Sequence, residues 1–292
     1  MKNRVSIIGC GRTGTALAVF LDKKKFSIAG LASRTSTSAE KAALAAKQGK
    51  IYENPVNAAM AGDIIFITTP DHSIERVCNE LSSWQNGKYL EGRYLYHCSG
   101  ALSSSRLASA ADCGGITGSL HPLQSFTPHT PIQPSPFTDI NVSVEGEESA
   151  VVMGKKIINS LGANSFSIPT TAKTLYHAAA VVASNYLVTL ENFAIELLRQ
   201  ANLSENEAYD ILSPLIQGTL NNIKTRGTSK ALTGPVSRGD VSIIRDHLRD
   251  IQQKSPHFLD LYKTMGAYTL ELAQMTNPLG DEVVSEINAL FK

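Results

Sequence analysis

The stretch VSIIGCGRTGTALAVFL, residues 5–21, decides how the chain is read. An apolar run stops at Gly9, Gly11 and Gly14 follow, and apolar residues then recur at helical spacing. That is a strand, a tight turn and a helix. In a GxGxxG turn the first glycine permits the turn, the second lets a pyrophosphate approach the backbone, and the third lets helix and strand pack closely. The phosphates lie on the helix N-terminus, where free N–H groups and the helix dipole favour negative charge. Gly9, Gly11, Arg12, Thr13 and Gly14 are therefore candidates for binding a dinucleotide. A lone GxGxxG can equally be a turn without a ligand, so the surrounding frame has to decide.

The frame is a βαβ alternation. RVSIIG (4–9), FSIAGLASR, DIIFITTP, RYLYHCSG and ITGSLHPL read as strands. Between them STSAEKAALAAKQG, SIERVCNELSSW and LSSSRLASAA read as helices, the first with a Ser/Thr cap and a terminal glycine. Such alternation predicts a parallel sheet covered by helices on both faces. After a proline-rich segment at 128–136 come a strand, INVSVEG, a helix at 147–161 and a last strand, NSFSIP. Pro169 marks the border. Beyond it the pattern is helical, beginning with a run that can extend about 30 residues, some 45 Å, from Lys173. Further helices are expected at 204–225, 240–253, 255–275 and 281–291. The expected organisation is α/β, a doubly wound Rossmann-type domain over 1–168, followed by an all-α domain over 169–292.

Bulk properties narrow the function. The chain has 292 residues, 42% hydrophobic and 18% charged, with a net charge of +1. That charge offers no field to attract nucleic acid or an anionic membrane. No stretch approaches eighteen unbroken apolar residues, so no transmembrane helix is expected. The basic start is followed by too short an apolar core for a signal peptide. Cys10, Cys78, Cys98 and Cys113 show no CxxC spacing, which predicts reduced thiols in a cytoplasmic protein and no metal site.

The end of the second strand selects the cofactor. An NAD enzyme usually carries Asp or Glu there to accept from the ribose 2′-hydroxyl. This chain has Ser33, Arg34 and Thr35. An arginine flanked by hydroxyls can hold a 2′-phosphate bidentately, and Arg12 can add a second charge. NADP(H) is the expected cofactor; the alternative is that Arg34 is only a solvated loop residue. Thr69 and Pro70, after the strand DIIFITTP, lie at the carboxyl end of the sheet beside it. Asp71 reads as a helix cap.

Polar groups for chemistry gather at the ends of later strands. HCSGAL supplies His97, placed against the cofactor, and Ser99, assigned to both cofactor and substrate; SLHPLQSF supplies His121. Lys173 and His177 are four residues apart and share a helix face. At about 100° per residue, Ser184 falls near both and Asn185 farther round, among small alanines. These residues can also be plain interdomain packing. Arg238, in LTGPVSRGD, can hold a substrate carboxylate or pair with Asp240, itself a candidate N-cap.

GCGRTG, the Ser-Arg after strand two, TPD, HCSGAL, SLHPLQSF, YHAAAVVASNYL and LTGPVSRGD, in this order, resemble a bacterial family that joins a Rossmann-like NADP-binding domain to a C-terminal domain of unknown function. Its members are often labelled NADP oxidoreductase, coenzyme F420-dependent-like; no motif in this chain requires a deazaflavin. More distantly the architecture is similar to pyrroline-5-carboxylate reductase and the β-hydroxyacid dehydrogenases, and the helical half to the 6-phosphogluconate dehydrogenase C-terminal domain. The dehydrogenases use a helix lysine with an asparagine one turn on. Lys173 matches the first, but His177 stands in the second place. The resemblance implies a homodimer formed through the helical domain.

Two function classes follow. One is a reductase or dehydrogenase moving a hydride between NADP(H) and a small C=O or C=N substrate in the interdomain cleft. His177 would then exchange the proton, Lys173 polarise the substrate, and Ser99, His121, Asn185 and Arg238 hold it. The other is a non-catalytic NADP-binding sensor or partner protein.

Overall fold

The structure, a computed structural model, describes residues 3–24, 26–126 and 135–292. Most of the proline-rich segment 128–136 lies outside the described residues. The strands are β1 (Arg4–Ile8), β2 (Ser27–Ala32), β3 (Lys50–Ile51), β4 (Ile64–Ile67), β5 (Tyr94–His97), β6 (Ile116–Pro122), β7 (Asn141–Gly146) and β8 (Asn164–Ser167). They form one sheet in the order β3-β2-β1-β4-β5-β6-β7-β8. The helices woven between them are α1 (Arg12–Asp22), α2 (Ser36–Ala46), α3 (Pro55–Ala61), α4 (Asp71–Ser83), α5 (Ala108–Ala111) and α6 (Glu148–Ser160). Every described pairing is parallel except β6 with β7, which is antiparallel. The expected all-parallel sheet is corrected there.

Side-chain parity explains why this sheet is covered on both faces. In β4, Ile64 and Phe66 join one apolar cluster, and Ile65 and Ile67 join the other. A strand buried on both sides reads as a continuous apolar run, as IIFI does. Each such side chain contributes roughly 1.5–3 kcal/mol on burial. The first face stays apolar across β5, β6 and β7, through Tyr96, Leu120, Val142 and Val144, under α6. The second face changes character. It is apolar at Ile65, Ile67 and Leu95, but polar at His97, Ser119, His121, Ser143 and Glu145.

Two small elements escape the sequence pattern: β3 has two residues and α3 seven. The α3 start is nevertheless written locally, with Asn54 Oδ1 accepting from Val56 N at 2.7 Å and Pro55 in the first turn. The expected terminal glycine of α2 is also displaced. That helix ends at Lys47, itself left-handed with φ 58°, two residues before Gly49.

The chain divides into two compact units, Met1–Val182 and Ala183–Lys292. The change from sheet to helix falls at Pro169. The first unit extends past it because α7 (Lys173–Val181) packs its lysine on the sheet. A π-helical turn, Val182–Tyr186, follows, then α8 (Leu187–Arg199). The second unit continues with α9 (Glu205–Arg226), α10 (Thr228–Ala231), α11 (Pro235–Arg238), α12 (Val241–Lys254), α13 (Leu259–Gln274) and α14 (Asp281–Phe291). Its core gathers Val236, Ile244, Leu270, Ile287 and Phe291. A full capping box starts α9: Ser204 Oγ accepts from Glu207 N, and the Glu207 carboxylate accepts from Ser204 N.

The helical run Thr170–Arg199 is, by length and composition alone, apolar enough to cross a membrane. A search for unbroken apolar residues passes over it because Lys173, His177 and Glu191 interrupt it.

Candidate functional site

The cofactor loop shows three glycines in three different states. Gly9 has φ +106°, and a Cβ there would lie 2.7 Å from Thr68 C and Thr69 N. A Cβ on Gly14 would collide with the Gly9 carbonyl and stand 2.6 Å from Thr68 Oγ1. A Cβ on Gly11 would meet nothing within 4 Å. The outer glycines are thus required by turn and packing, and the middle one faces open space, where a ligand can approach the backbone.

Neighbouring strands hold the loop. Gly9 N donates to Ala32 O at 2.8 Å, Cys10 N to Ser33 Oγ at 3.3 Å, and Thr68 Oγ1 to Gly9 O at 2.5 Å. Ser33 therefore faces the loop from the end of β2. Burial pushes the Cys10 thiol up to about 11, so it stays protonated. Helix α1 starts at Arg12 with no side-chain cap and no acidic residue in its first turn, so its leading N–H groups keep their affinity for an anion.

Among the described residues, neither Arg34 nor Arg12 pairs with a carboxylate. Arg34 and Thr35 are exposed, and among the described residues no ion pair engages Arg34. Arg12 is exposed and donates to Phe126 O at 3.0 Å. Thr35 Oγ1 shares a hydrogen bond of 2.8 Å with Ser38 Oγ. Thr69 Oγ1, after β4, is buried without a partner among the described residues, and Pro70 precedes α4 in an extended conformation. An open Gly11, an uncapped helix start and an unspent Thr69 hydroxyl fit a dinucleotide.

The second cluster stands at the carboxyl ends of β5 and β6. Cross-strand pairing sets out two rows on the polar face: His97, Ser119 and Glu145, then His121, Ser143 and Phe166. Residues three and four apart on α7 address the two rows in turn. Lys173, 2% exposed, donates to Ser119 Oγ at 2.9 Å and to Ser99 O at 2.8 Å. Tyr176 Oη lies 2.9 Å from His121 Nδ1. The His121 and His177 rings are 6.0 Å apart at 79°. A Cβ on Gly100 would lie 2.5 Å from His177 Nδ1 and 2.8 Å from His121 Nε2. Both imidazoles thus close on Gly100, where no larger residue fits. His177 Nδ1 is buried and has no partner among the described residues.

The remaining groups are spent on one another. His97 is fully buried; its Nδ1 accepts from Ser99 N at 3.2 Å, leaving Nε2 to donate to Ser103 O at 3.0 Å. Burial, the largest cause, holds it down at about 4. With both nitrogens engaged by backbone, it has none for the cofactor contact expected of it. Ser99 Oγ donates to Asp71 Oδ2 at 2.8 Å and accepts from Ala101 N and Leu102 N. Asp71 thus ties the turn after β5 to the start of α4 instead of capping its own helix. Burial, then the Lys173 charge, brings His121 down to about 4. Burial also lowers Lys173, opposed by Glu145, Cys98 and Asp71.

Asn185 and Arg238 belong to the second unit. Asn185 sits in the π-helical turn and is exposed. The wider turn breaks the 100° spacing on which its expected placement, and that of Ser184, relied. Arg238 Nη2 pairs with Asp240 Oδ2 at 2.7 Å, the loop-holding alternative. Asp240 occupies the N-cap position of α12 without capping it through its side chain.

Sequence reasoning missed Glu145 and Tyr176. Glu145, 2% exposed, accepts from Ser104 N and Oγ and from Thr170 Oγ1 at 2.8–3.0 Å. The alternation of Ser143 and Glu145 with Val142 and Val144 in INVSVEG was its signal: a polar stripe on a strand flanked by others.

Comparison with known proteins agrees with the fold. The chain matches the Rossmann-like domain over residues 1–122 and a domain of unknown function, DUF2520, over 140–269. It pairs a Rossmann-like domain with a DUF2520 domain. Among solved structures, BF3122 from Bacteroides fragilis aligns at 22% identity and TM-score 0.74, over 92% of this chain and 98% of that one. Protein TM1727 from Thermotoga maritima aligns at 27% identity and TM-score 0.70, over 93% and 98%. An imine reductase from Myxococcus stipitatus, solved with NADP+, aligns at 15% identity and TM-score 0.67, over 99% and 100%. No curated protein matches the chain in sequence.

Proposed function

We propose that this protein is an NADP(H)-dependent oxidoreductase that moves a hydride between the cofactor and a small C=O or C=N substrate. The carrying observation is that the open Gly11 and unspent Thr69 Oγ1 share a sheet end with two imidazoles meeting over Gly100. Several structures of the same fold, including the imine reductase above and a reductive aminase from Aspergillus terreus, were solved with NADP+ or NADPH. Arg34, helped by Arg12, holds the 2′-phosphate, with Ser33 and Thr35 beside it. The α1 N-terminus holds the pyrophosphate across Gly11. NADPH, when bound, supplies the hydride.

The chain's own part is to place a proton. His177 Nδ1 has no partner among the described residues and takes the role of donor or acceptor, with His121 beside it. Lys173 holds Ser99 O and Ser119 Oγ, so it shapes the turn instead of meeting the substrate. NADPH oxidation with a panel of imines, keto acids and aldehydes tests the reading, with His177→Asn expected to slow turnover without weakening NADPH. The saturation of Lys173 and His97 favours one rival, a non-catalytic sensor; tight NADPH binding with no turnover across the panel would establish it.

Two further parts belong to this reading. Val188, Tyr209, Ile211 and Leu215 of the helical unit are 53–69% exposed, and such apolar side chains suit a homodimer built through that unit. Sedimentation of the purified protein checks it. Four free cysteines suit a reducing, cytoplasmic setting, and a small molecule is the substrate this reading calls for.

A further inference from the structure

We infer that Tyr176 is a positioning residue that fixes His121 in its Nε2–H tautomer by donating its hydroxyl proton to His121 Nδ1. The inference rests on the oxidoreductase reading only for its kinetic consequence.

The geometry is set by the second polar row. His121 and Ser143 are directly paired across β6 and β7, so their side chains lie together on one face. Tyr176 comes down on both. Its hydroxyl is 2.9 Å from His121 Nδ1 and stands beside Ser143. Its ring is held edge-on by Phe166, the Ser143 partner on β8, with centroids 6.0 Å apart, and meets the His121 ring at 87°.

Counting protons selects the direction of this bond. Ser143 Oγ is fully buried and makes no hydrogen bond among the described residues, so His121 Nδ1 is the one side-chain partner of the Tyr176 hydroxyl there. If His121 Nδ1 donated to Tyr176, the tyrosine proton would find no acceptor among the described residues. If Tyr176 donates to Nδ1, the phenol acts as donor and the basic imidazole nitrogen as acceptor, and both are used. Buried polar groups overwhelmingly adopt the arrangement that satisfies them. The imidazole proton then resides on Nε2, the nitrogen that faces Gly100 beside His177 Nδ1. Around His121 stand Lys173, His177, His97 and Asp71. Burial, then the Lys173 charge, keeps the ring neutral, so a fixed tautomer, not a fixed charge, is what Tyr176 supplies. His121 becomes a neutral donor aimed at the reacting end of the site.

Long-range 1H–15N correlation spectra of the full-length protein near neutral pH test this directly, with His121 assigned by the signal lost in His121→Asn. The expected result is Nε2–H in the wild type and a mixture of tautomers in Tyr176→Phe, which keeps the ring against Phe166. Nδ1–H in the wild type, or an unchanged tautomer in Tyr176→Phe, overturns the inference. Should Tyr176→Phe not fold, the wild-type spectrum still decides. With a substrate in hand, Tyr176→Phe should lower kcat about tenfold and leave the NADPH dissociation constant unchanged. Should no substrate ever turn over, the oxidoreductase reading fails while the tautomer result stands by itself.

Discussion

The two halves of the sheet's carboxyl edge treat their polar groups in opposite ways. After β1, β2 and β4, Gly11 faces open space, Thr69 Oγ1 is unspent and Arg34 has no ion pair among the described residues. After β5 and β6, helix α7 covers the strands, and Lys173, His97, Ser99 and Glu145 are bound to one another or to backbone. Among the described residues, His177 Nδ1, Ser143 Oγ and the His121 Nε2 edge remain unspent there. Hydrogen-bonding capacity left unspent marks where a ligand can act, and capacity spent internally marks what holds the site in shape.

The largest effect should come from disturbing the closed half. Lys173→Met strands Ser99 O and Ser119 Oγ, and each buried polar group left without its partner costs about 1–3 kcal/mol. Urea unfolding should show that loss; a loss under about 1 kcal/mol would mean that the lysine is not a keystone.

Acid should act on the same half. The His97 imidazole titrates near 4 in the fold and near 6.5 in the unfolded chain. Between those values the unfolded chain holds more protons, so stability is complete above about pH 6.5 and lost as pH falls toward 4. His121 acts in the same direction. His97 alone accounts for about 3 kcal/mol, and a urea midpoint that stays level from pH 7 to 4.5 would contradict its burial as a neutral ring.

The open half should respond in binding and not in stability. Arg34→Ala should weaken NADPH by about 2 kcal/mol, seen by fluorescence titration, with thermal stability unchanged. Gly11→Ala should leave the fold intact, since its Cβ meets nothing within 4 Å, yet weaken NADPH at least about tenfold by occupying the pyrophosphate's approach. Smallest of all, Arg238→Ala removes an exposed pair with Asp240 and should cost under about 1 kcal/mol in urea unfolding.

The same contrast explains what the chain's letters reveal. The open half is local: GCGRTG, Ser33-Arg34-Thr35 and Thr69-Pro70 lie next to the strands that aim them, so periodicity and glycine spacing suffice. The closed half is assembled from a distance. Lys173 meets Ser99 across 74 residues and Ser119 across 54, and Tyr176 meets His121 across 55. Spacing on α7 shows that Lys173 and His177 share a face, but not that the lysine is spent on the sheet. The antiparallel β6–β7 pairing, which sets Ser143 beside His121, has no local signal within either strand. A π-helical turn hides equally well: VASNY at 182–186 looks like any helical stretch, yet it resets the spacing beyond His177.

Titration of the wild type and Arg34→Asp with NADPH and NADH tests the central claim most directly. NADPH should bind the wild type at least about tenfold more tightly than NADH, and Arg34→Asp should erase or reverse that preference. Equal affinity for the two cofactors in the wild type, or binding of neither, would contradict the assignment of the open loop to NADP(H).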